Sequence, residues 1–201
     1  MTLSDILEQQ RSLYLEEFAN RLASFSAEVA GLMQPEALYL LADGTPVRTG
    51  TLALPARGDV CVRNHKRIEE IARIDSARTL GFDAFRFVWQ EALQVALHPF
   101  VWNNCQLCIP EPIEAIDQSV LACWFETAIK PELGHGERNS LLGAVHSLSA
   151  PRTAADGVRF EVDFGSAPVA AFENLLTALV QAGAGLVVIG RGESARNLDR
   201  P

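Results

Sequence analysis

The sequence predicts a single α+β domain whose C-terminal half has the split βαβ order of the ferredoxin-like class. Apolar and charged residues alternate over 158–164, which is the period-two pattern of a half-buried strand. Apolar residues follow at helical spacing over 169–180, and Gly183 suits the left-handed position after a helix. The uninterrupted apolar run 186–189 indicates a strand covered on both faces. We expect the rest of the fold to be organised around this strand–helix–strand unit.

Two more strands and a helix precede this unit and complete the predicted order. Residues 105–109 indicate a strand, which Pro110 closes. The apolar stripe over 113–130 predicts a helix that ends at Pro131, and residues 141–148 indicate another strand. The resulting order is strand, helix, strand, strand, helix, strand, which is the ferredoxin-like order.

The chain is predicted to begin with one long helix over 3–32, which ends before Pro35. Its apolar seam has the alternating three- and four-residue spacing of packed helices and consists of Leu15, Phe18, Leu22, Phe25 and Val29. Because the seam is short, it favours a helix packed on its own domain over a dimer zipper.

The segment between the first helix and residue 100 is predicted to be mainly antiparallel strands. The Asp43-Gly44 pair predicts a hairpin turn, and residues 60–62 indicate a short strand. Residues 67–77 predict a helix, because Ile68, Ile71 and Ile74 are spaced by three. Strands are also expected at 85–89 and 93–97.

We therefore expect one domain over residues 1–201. Its parts are the long helix with antiparallel strands in 1–100, the split βαβ unit in 101–190 and a polar tail in 191–201.

The composition predicts a cytoplasmic protein with reduced thiols. Hydrophobic residues make up 48% of the chain and charged residues 21%, as in an ordinary folded globule. No apolar run approaches the roughly 20 residues that span a bilayer, and the N-terminus lacks the pattern of a secretory signal. We therefore expect no membrane association.

The formal net charge of −8 disfavours nucleic acid as a partner and favours a basic protein. The most one-signed stretch is 111–137, and its carboxylates are the predicted partner-binding residues: Glu111, Glu114, Asp117, Glu126, Glu132 and Glu137. Such a field would speed the approach of a cationic protein in a salt-dependent way. The alternative is a solvated helix face without a partner.

A zinc site is the sharpest metal hypothesis that the sequence offers, and it is not favoured. Cys61, His65, Cys105 and Cys108 supply four suitable ligands. However, the odd spacing of Cys105 and Cys108 in a strand directs their side chains to opposite faces. Burial as small apolar residues explains these cysteines better. We therefore expect no metal ion, no cofactor and no disulfide.

No catalytic residue is predicted. Cys123 lies within a predicted helix beside Trp124, where we expect burial to raise its pKa and make it inert. The four histidines, His65, His98, His135 and His146, stand in separate segments, and no nucleophile motif accompanies them.

These observations favour a non-enzymatic function, although a catalytic site assembled from distant residues stays open. The leading hypothesis is an immunity-type inhibitor that neutralises a basic toxin by binding it through an acidic surface. One alternative is an enzyme or ligand-binding domain for a small molecule. Another is a structural subunit that docks through the first helix. A pocket with several converging polar groups would favour the small-molecule alternative. The oligomeric state is left open.

Overall fold

Three helices, one short 3₁₀ helix and twelve strands form in the residues that the computed structural model describes, which are 1–28, 32–64, 67–74, 78–130 and 141–190. In chain order they are α1 (Leu3–Glu28), β1 (Leu32–Pro35), β2 (Arg48–Thr49), β3 (Leu54–Pro55), β4 (Val60–Asn64), β5 (Arg67–Ala72), β6 (Phe85–Trp89), β7 (Leu93–Leu97), β8 (Cys105–Ile109), the 3₁₀ helix (Ile113–Ala115), α2 (Gln118–Ala128), β9 (Ser147–Leu148), β10 (Arg152–Ala154), β11 (Gly157–Asp163), α3 (Val169–Gln181) and β12 (Leu186–Ile189).

A seven-stranded sheet forms the centre of the fold. Its order is β10-β11-β8-β12-β7-β6, and β9 also pairs with β11. Strands β12 and β7 are parallel, whereas the other neighbours are antiparallel. The prediction of a single α+β domain is confirmed, and the strands predicted around 158–164 and 186–189 do lie in one sheet, with β8 between them.

The C-terminal strands pair within this larger sheet in the order β9, β11, β8, β12, each antiparallel to the next. The sheet continues beyond β12 through a parallel pair with β7, which comes from the first half of the chain. The ferredoxin-like assignment stays a prediction, since the sheet is larger than the four-stranded one that this class contains.

Helix α3 packs its apolar side into the core, as its spacing predicts. Phe172, Leu176 and Leu179 are fully buried. The Phe172 ring lies among other aromatic rings, with centroid distances of 5.4 Å to Phe164 and 6.4 Å to Trp102. Gly183 has φ of +90° directly after the helix, where a residue with a side chain would be strained.

A separate three-stranded sheet has the order β1-β4-β5, and here one prediction is wrong. In the helix predicted over 67–77, residues 67–72 form strand β5 instead, and residues 75–77 lie outside the described residues. Burial alternates along this strand, so that Glu70 faces inward while Ile71 is exposed. The three-residue spacing of the isoleucines is typical of a helix, but here it arises because Ile71 is an apolar residue on the solvent side.

Helix α1 packs on the rest of its own chain. Phe18 is fully buried, and Leu15, Leu22 and Phe25 are half-buried against the core, while Val29 lies outside the described residues. This confirms self-packing of the predicted seam.

Other predicted elements are shorter than expected. The turn at Asp43-Gly44 forms, but the flanking residues make only an isolated bridge between Leu40 and Pro46. The strand expected over 141–148 is limited to β9. The helix expected over 113–130 is split, because Asp117 starts α2 as its N-cap by accepting from Ser119 N–H.

Candidate functional site

Four side chains that are far apart in the sequence meet where the three-stranded and seven-stranded sheets come together. They belong to Glu36, Asp59, His146 and Asp163, which we call the His146 cluster. The backbone N–H of Glu36 donates to the Asp59 carbonyl at 2.8 Å, and the N–H of His146 donates to the Asp163 carbonyl at 2.8 Å. The N–H of Arg57 joins the two sheets by donating to the His146 carbonyl at 3.0 Å. Backbone hydrogen bonds therefore place the four side chains together.

His146 is the centre of the cluster and is only 1% exposed. Its Nε2 lies 2.7 Å from Oε1 of Glu36. Its Nδ1 lies 2.8 Å from Oδ1 of Asp59 and 3.7 Å from Oδ2 of Asp163. Despite the short distance to Asp59, Nδ1 has no hydrogen bond of standard geometry to any described residue. The contact between Nδ1 and the Asp59 carboxylate is therefore an electrostatic one, and the oxygen does not lie along the direction of an N–H bond on Nδ1.

Glu36 is held rigidly by the protein. Besides the imidazole, its carboxylate accepts from the backbone N–H of Ser166 at 3.0 Å and from the backbone N–H of Leu142. Burial raises the pKa of Glu36, but the hydrogen bond and the charge of His146 outweigh it, so the pKa is lowered overall. Glu36 therefore fixes the orientation of the ring and favours a proton on Nε2.

Asp59 and Asp163 share a different arrangement. Oδ2 of Asp59 accepts from the backbone N–H of Ile74 at 2.6 Å, and Oδ1 of Asp163 accepts from the N–H of Gly165 at 2.9 Å. In each carboxylate the other oxygen is the one nearer to Nδ1 of His146. Each side chain is thus oriented through one oxygen and presents the other to the imidazole.

The electrostatics of the cluster favour an imidazolium next to carboxylates. Burial alone would lower the pKa of His146, but the charge of Asp163 and the close contacts with Asp59 and Glu36 raise it well above its usual range. Burial raises the pKa of Asp163, and the imidazolium opposes this shift. The Asp163 side chain is 22% exposed, so this carboxylate also faces the cleft.

The hydroxyl of Tyr14 lies buried in the same region. It has no hydrogen bond of standard geometry to a described residue. Burial, followed by the charges of Asp163, Asp59 and Glu36, raises the pKa of Tyr14 well above its usual range. The Tyr14 hydroxyl is thus a second buried polar atom near the carboxylates of the cluster.

A glycine allows this close packing. A Cβ on Gly165 would lie 2.3 Å from Cδ2 of His146, and the residue has φ of +49°. Only glycine leaves room for the ring here.

Of the cluster, Asp59 and Asp163 line a polar cleft of about 410 Å³ and form its floor, whereas His146 and Glu36 lie behind them and do not line it. On its wall the Tyr39 hydroxyl donates to Glu70 at 2.7 Å, and Arg73 pairs with Glu70 at 3.1 Å. The backbone N–H of Asp59 also donates to Glu70, at 3.1 Å, which connects the wall to the floor. The cleft therefore contains several converging polar groups.

A larger groove of about 550 Å³ runs between α2 and α3 and has no comparable polar cluster. Its walls are mostly apolar, and Cys123 lines it. The expectation that Cys123 is buried is wrong, since its side chain is exposed. It lies on the side of α2 away from Leu121 and Phe125, which are the buried residues of that helix.

Part of the predicted acidic surface is paired within the chain. Oε1 of Glu111 accepts from the backbone N–H of Gly185 at 3.0 Å, and Asp117 caps α2. Glu126 pairs with Arg48 at 2.5 Å. Three of the carboxylates thus have partners within the chain.

Glu114 is exposed on the 3₁₀ helix, and Glu132 and Glu137 lie outside the described residues. The role of this surface in binding a partner stays a prediction.

The predicted zinc ligands do not account for the site. Cys61 and Cys105 are buried, Cys108 is half-buried, and His65 lies outside the described residues. Burial raises the pKa of the Cys61 thiol to about 11. In the described part of the chain, the His, Cys, Asp and Glu side chains that converge closely enough for a metal ion are those of Asp59, His146 and Asp163.

His146 stands apart from the other histidines in the sequence, and no local motif indicates which side chains contact it. Its partners come from positions up to 110 residues away, and Asp163 had the pattern of an ordinary solvent-facing residue in an alternating strand. The usable signal was the position of Asp59 and Asp163 at the ends of predicted strands.

Within the described residues, none of the helices has both the length and the apolar character needed to cross a membrane. The chain shows no significant match to a protein-family model, to a curated protein or to a solved structure.

Proposed function

We propose that the protein binds a small, polar, donor-rich molecule in the cleft above His146, and that this site can support acid–base chemistry. This is the ligand-binding alternative that the sequence left open. The observation that carries the proposal is the convergence of Asp59 and Asp163 on one buried imidazole at the floor of a polar cleft. Buried charges are costly, and strongly perturbed groups in a cleft are typical of functional sites.

A purely structural role explains only part of the cluster. Glu36 satisfies two backbone N–H groups and the imidazole, as a structural carboxylate would. Asp59 and Asp163 each use one oxygen in this way and turn the other toward Nδ1 of His146, where no standard hydrogen bond forms. Two like charges next to a cleft favour an incoming cation or hydrogen-bond donor.

The walls of the cleft favour the same class of ligand. Carboxylates line it, including Glu70 and Glu161, together with two basic residues. Arg57 donates to the carbonyls of Glu36 and Ile129, and Arg73 pairs with Glu70, so both basic residues have partners within the chain. An ammonium or guanidinium group would pair with these carboxylates, whereas a free anion would be repelled. Asp163, the carboxylate that both lines the cleft and lies near His146, would then be the group that exchanges a proton with the ligand.

We predict that agmatine or putrescine, used as guanidinium and ammonium probes, binds the wild-type protein in isothermal titration calorimetry. The Asp163→Asn variant should bind at least about tenfold more weakly, because it loses the charge that faces the cleft. Glu114→Gln is the matched control, since it removes an exposed carboxylate outside the cleft and should bind as the wild type does. Equal affinity in Asp163→Asn, or no binding of either probe, would contradict the proposal.

The second candidate is a protein that binds a basic partner through the acidic stretch, as an immunity-type inhibitor would. It is supported by the negative net charge and by the exposure of Glu114. It has less support than the cleft because Glu111, Asp117 and Glu126 already have partners within the chain. A structural subunit that docks through α1 has the least support of the three hypotheses, because the apolar seam of α1 packs on the core of its own chain.

For this candidate we predict that a basic partner retained from a cell lysate associates more slowly as ionic strength rises. Glu114→Gln should slow the association further, measured by surface plasmon resonance, without disturbing an internal ion pair. A rate that neither salt nor this variant changes would count against the acidic surface.

A further inference from the structure

We propose that Nδ1 of His146 and one carboxylate oxygen each from Asp59 and Asp163 bind a divalent metal cation at the floor of the cleft. This inference rests on the proposed function only in using the same cleft as the route of entry. The ligand atoms of the three side chains lie within 4.8 Å of one another.

The spacing of the ligand atoms fits a single ion. Metal–nitrogen and metal–oxygen bonds of about 2.1 Å place neighbouring ligand atoms about 3.0–3.4 Å apart for octahedral to tetrahedral angles. The distances from Nδ1 are 2.8 Å to Asp59 and 3.7 Å to Asp163, on either side of that range. Small shifts of the two carboxylates would bring both oxygens into this range from Nδ1, and the three ligand atoms already lie within 4.8 Å of one another.

The surroundings of the three ligands orient them for this role. Metal-binding histidines usually donate their other ring N–H to a carboxylate, and ligating carboxylates are themselves hydrogen-bonded. Here Nε2 of His146 contacts Glu36 at 2.7 Å. Backbone N–H groups hold the second oxygens of Asp59 and Asp163 at 2.6 Å and 2.9 Å. Glu36 is thus a positioning residue rather than a ligand.

An independent observation is the state of Nδ1 itself. It belongs to a side chain that is 1% exposed, it points into the pair of carboxylates, and it makes no standard hydrogen bond to a described residue. Buried polar atoms in proteins are otherwise almost always hydrogen-bonded. A metal ion would displace the proton of the metal-free imidazolium from Nδ1 and would satisfy this atom and both neighbouring oxygens together.

The charge of the cluster also favours a dication. Three carboxylates surround one imidazole, and Arg57 uses its guanidinium on the carbonyls of Glu36 and Ile129. A dication would neutralise Asp59 and Asp163. Three protein ligands leave coordination positions open toward the cleft, as in catalytic rather than structural metal sites.

Equilibrium dialysis against Mn²⁺, followed by metal analysis and water-proton relaxation, would test the site. Mn²⁺ prefers oxygen and imidazole ligands to thiolates, so the four cysteines should not compete. We expect one Mn²⁺ per chain and enhanced water relaxation from the open positions. Asp163→Asn and Asp59→Asn should each weaken binding at least about tenfold. Glu69→Gln, an exposed carboxylate beside the cleft wall, should bind Mn²⁺ as the wild type does.

Circular dichroism would establish that each variant is folded. If either Asp163→Asn or Asp59→Asn is unfolded, the other variant alone is compared with the wild type. Absence of stoichiometric Mn²⁺ in the wild type, or wild-type affinity for Mn²⁺ in the folded Asp163→Asn and Asp59→Asn variants, would overturn the inference. If Mn²⁺ fails to bind but agmatine binds in an Asp163-dependent way, the metal site alone is refuted. If Mn²⁺ binds and neither organic probe does, the metal site stands and the proposed ligand class fails.

Discussion

Replacing Glu36 with alanine should lower the free energy of unfolding by roughly 3–5 kcal/mol, the usual cost of removing one partner from a buried ion pair. The substitution would leave His146 beside two carboxylates without the group that orients its ring. It would also leave the backbone N–H groups of Leu142 and Ser166 without their acceptor. Urea denaturation followed by circular dichroism would measure the loss.

Two variants sharpen this experiment. Glu36→Gln retains a hydrogen-bond acceptor but not the charge, so its free energy of unfolding should lie between those of the wild type and Glu36→Ala. Glu69→Ala removes an exposed carboxylate from the nearby strand β5 and should change stability by less than about 0.5 kcal/mol. A loss below about 1 kcal/mol for Glu36→Ala would show that the cluster contributes little to folding.

The second large effect is expected for Phe172→Ala, which should cost about 3–5 kcal/mol. The side chain is fully buried, and its ring lies 5.7 Å from that of Phe100 and 5.4 Å from that of Phe164. Truncation would open a cavity between α3 and the large sheet that rigid neighbouring rings could fill only in part. Thermal and urea unfolding should both detect it.

The control for this prediction is Val88→Ala, because Val88 is an apolar residue of the same sheet that is 61% exposed. It should be nearly neutral. A loss of less than about 2 kcal/mol for Phe172→Ala would mean that the core around α3 relaxes and is not the rigid centre of the fold.

The sequence predicts elements well where local periodicity decides them. Strands β6, β7, β8 and β12 have the predicted bounds, because each is a short apolar or alternating run between turn residues. Strand β5 was missed because its inward-facing positions include Glu70, whose carboxylate binds Tyr39 and a backbone N–H. An inward-facing acid breaks the alternation that identifies a strand.

The candidate site could not be predicted in the same way. Glu36 and His146 are 110 residues apart, and they meet only through pairing between strands that are distant in the chain. The sequence predicts a binding surface at the carboxylates of the 111–137 stretch because they form a local excess of negative charge. Asp117 and Glu111 instead satisfy backbone N–H groups, which is a role that net charge does not reveal.

The parallel pairing of β12 with β7 has a consequence for synthesis on the ribosome. Gln94 is opposite Leu186 in this pair, which places the partner strands 92 residues apart. At roughly 5–20 residues per second, β7 would emerge about 5–20 s before the strand that covers its open edge. During that time its apolar residues and free backbone groups would be exposed to other nascent chains. Protection of this edge by chaperones would thus be most valuable before the C-terminal strand appears.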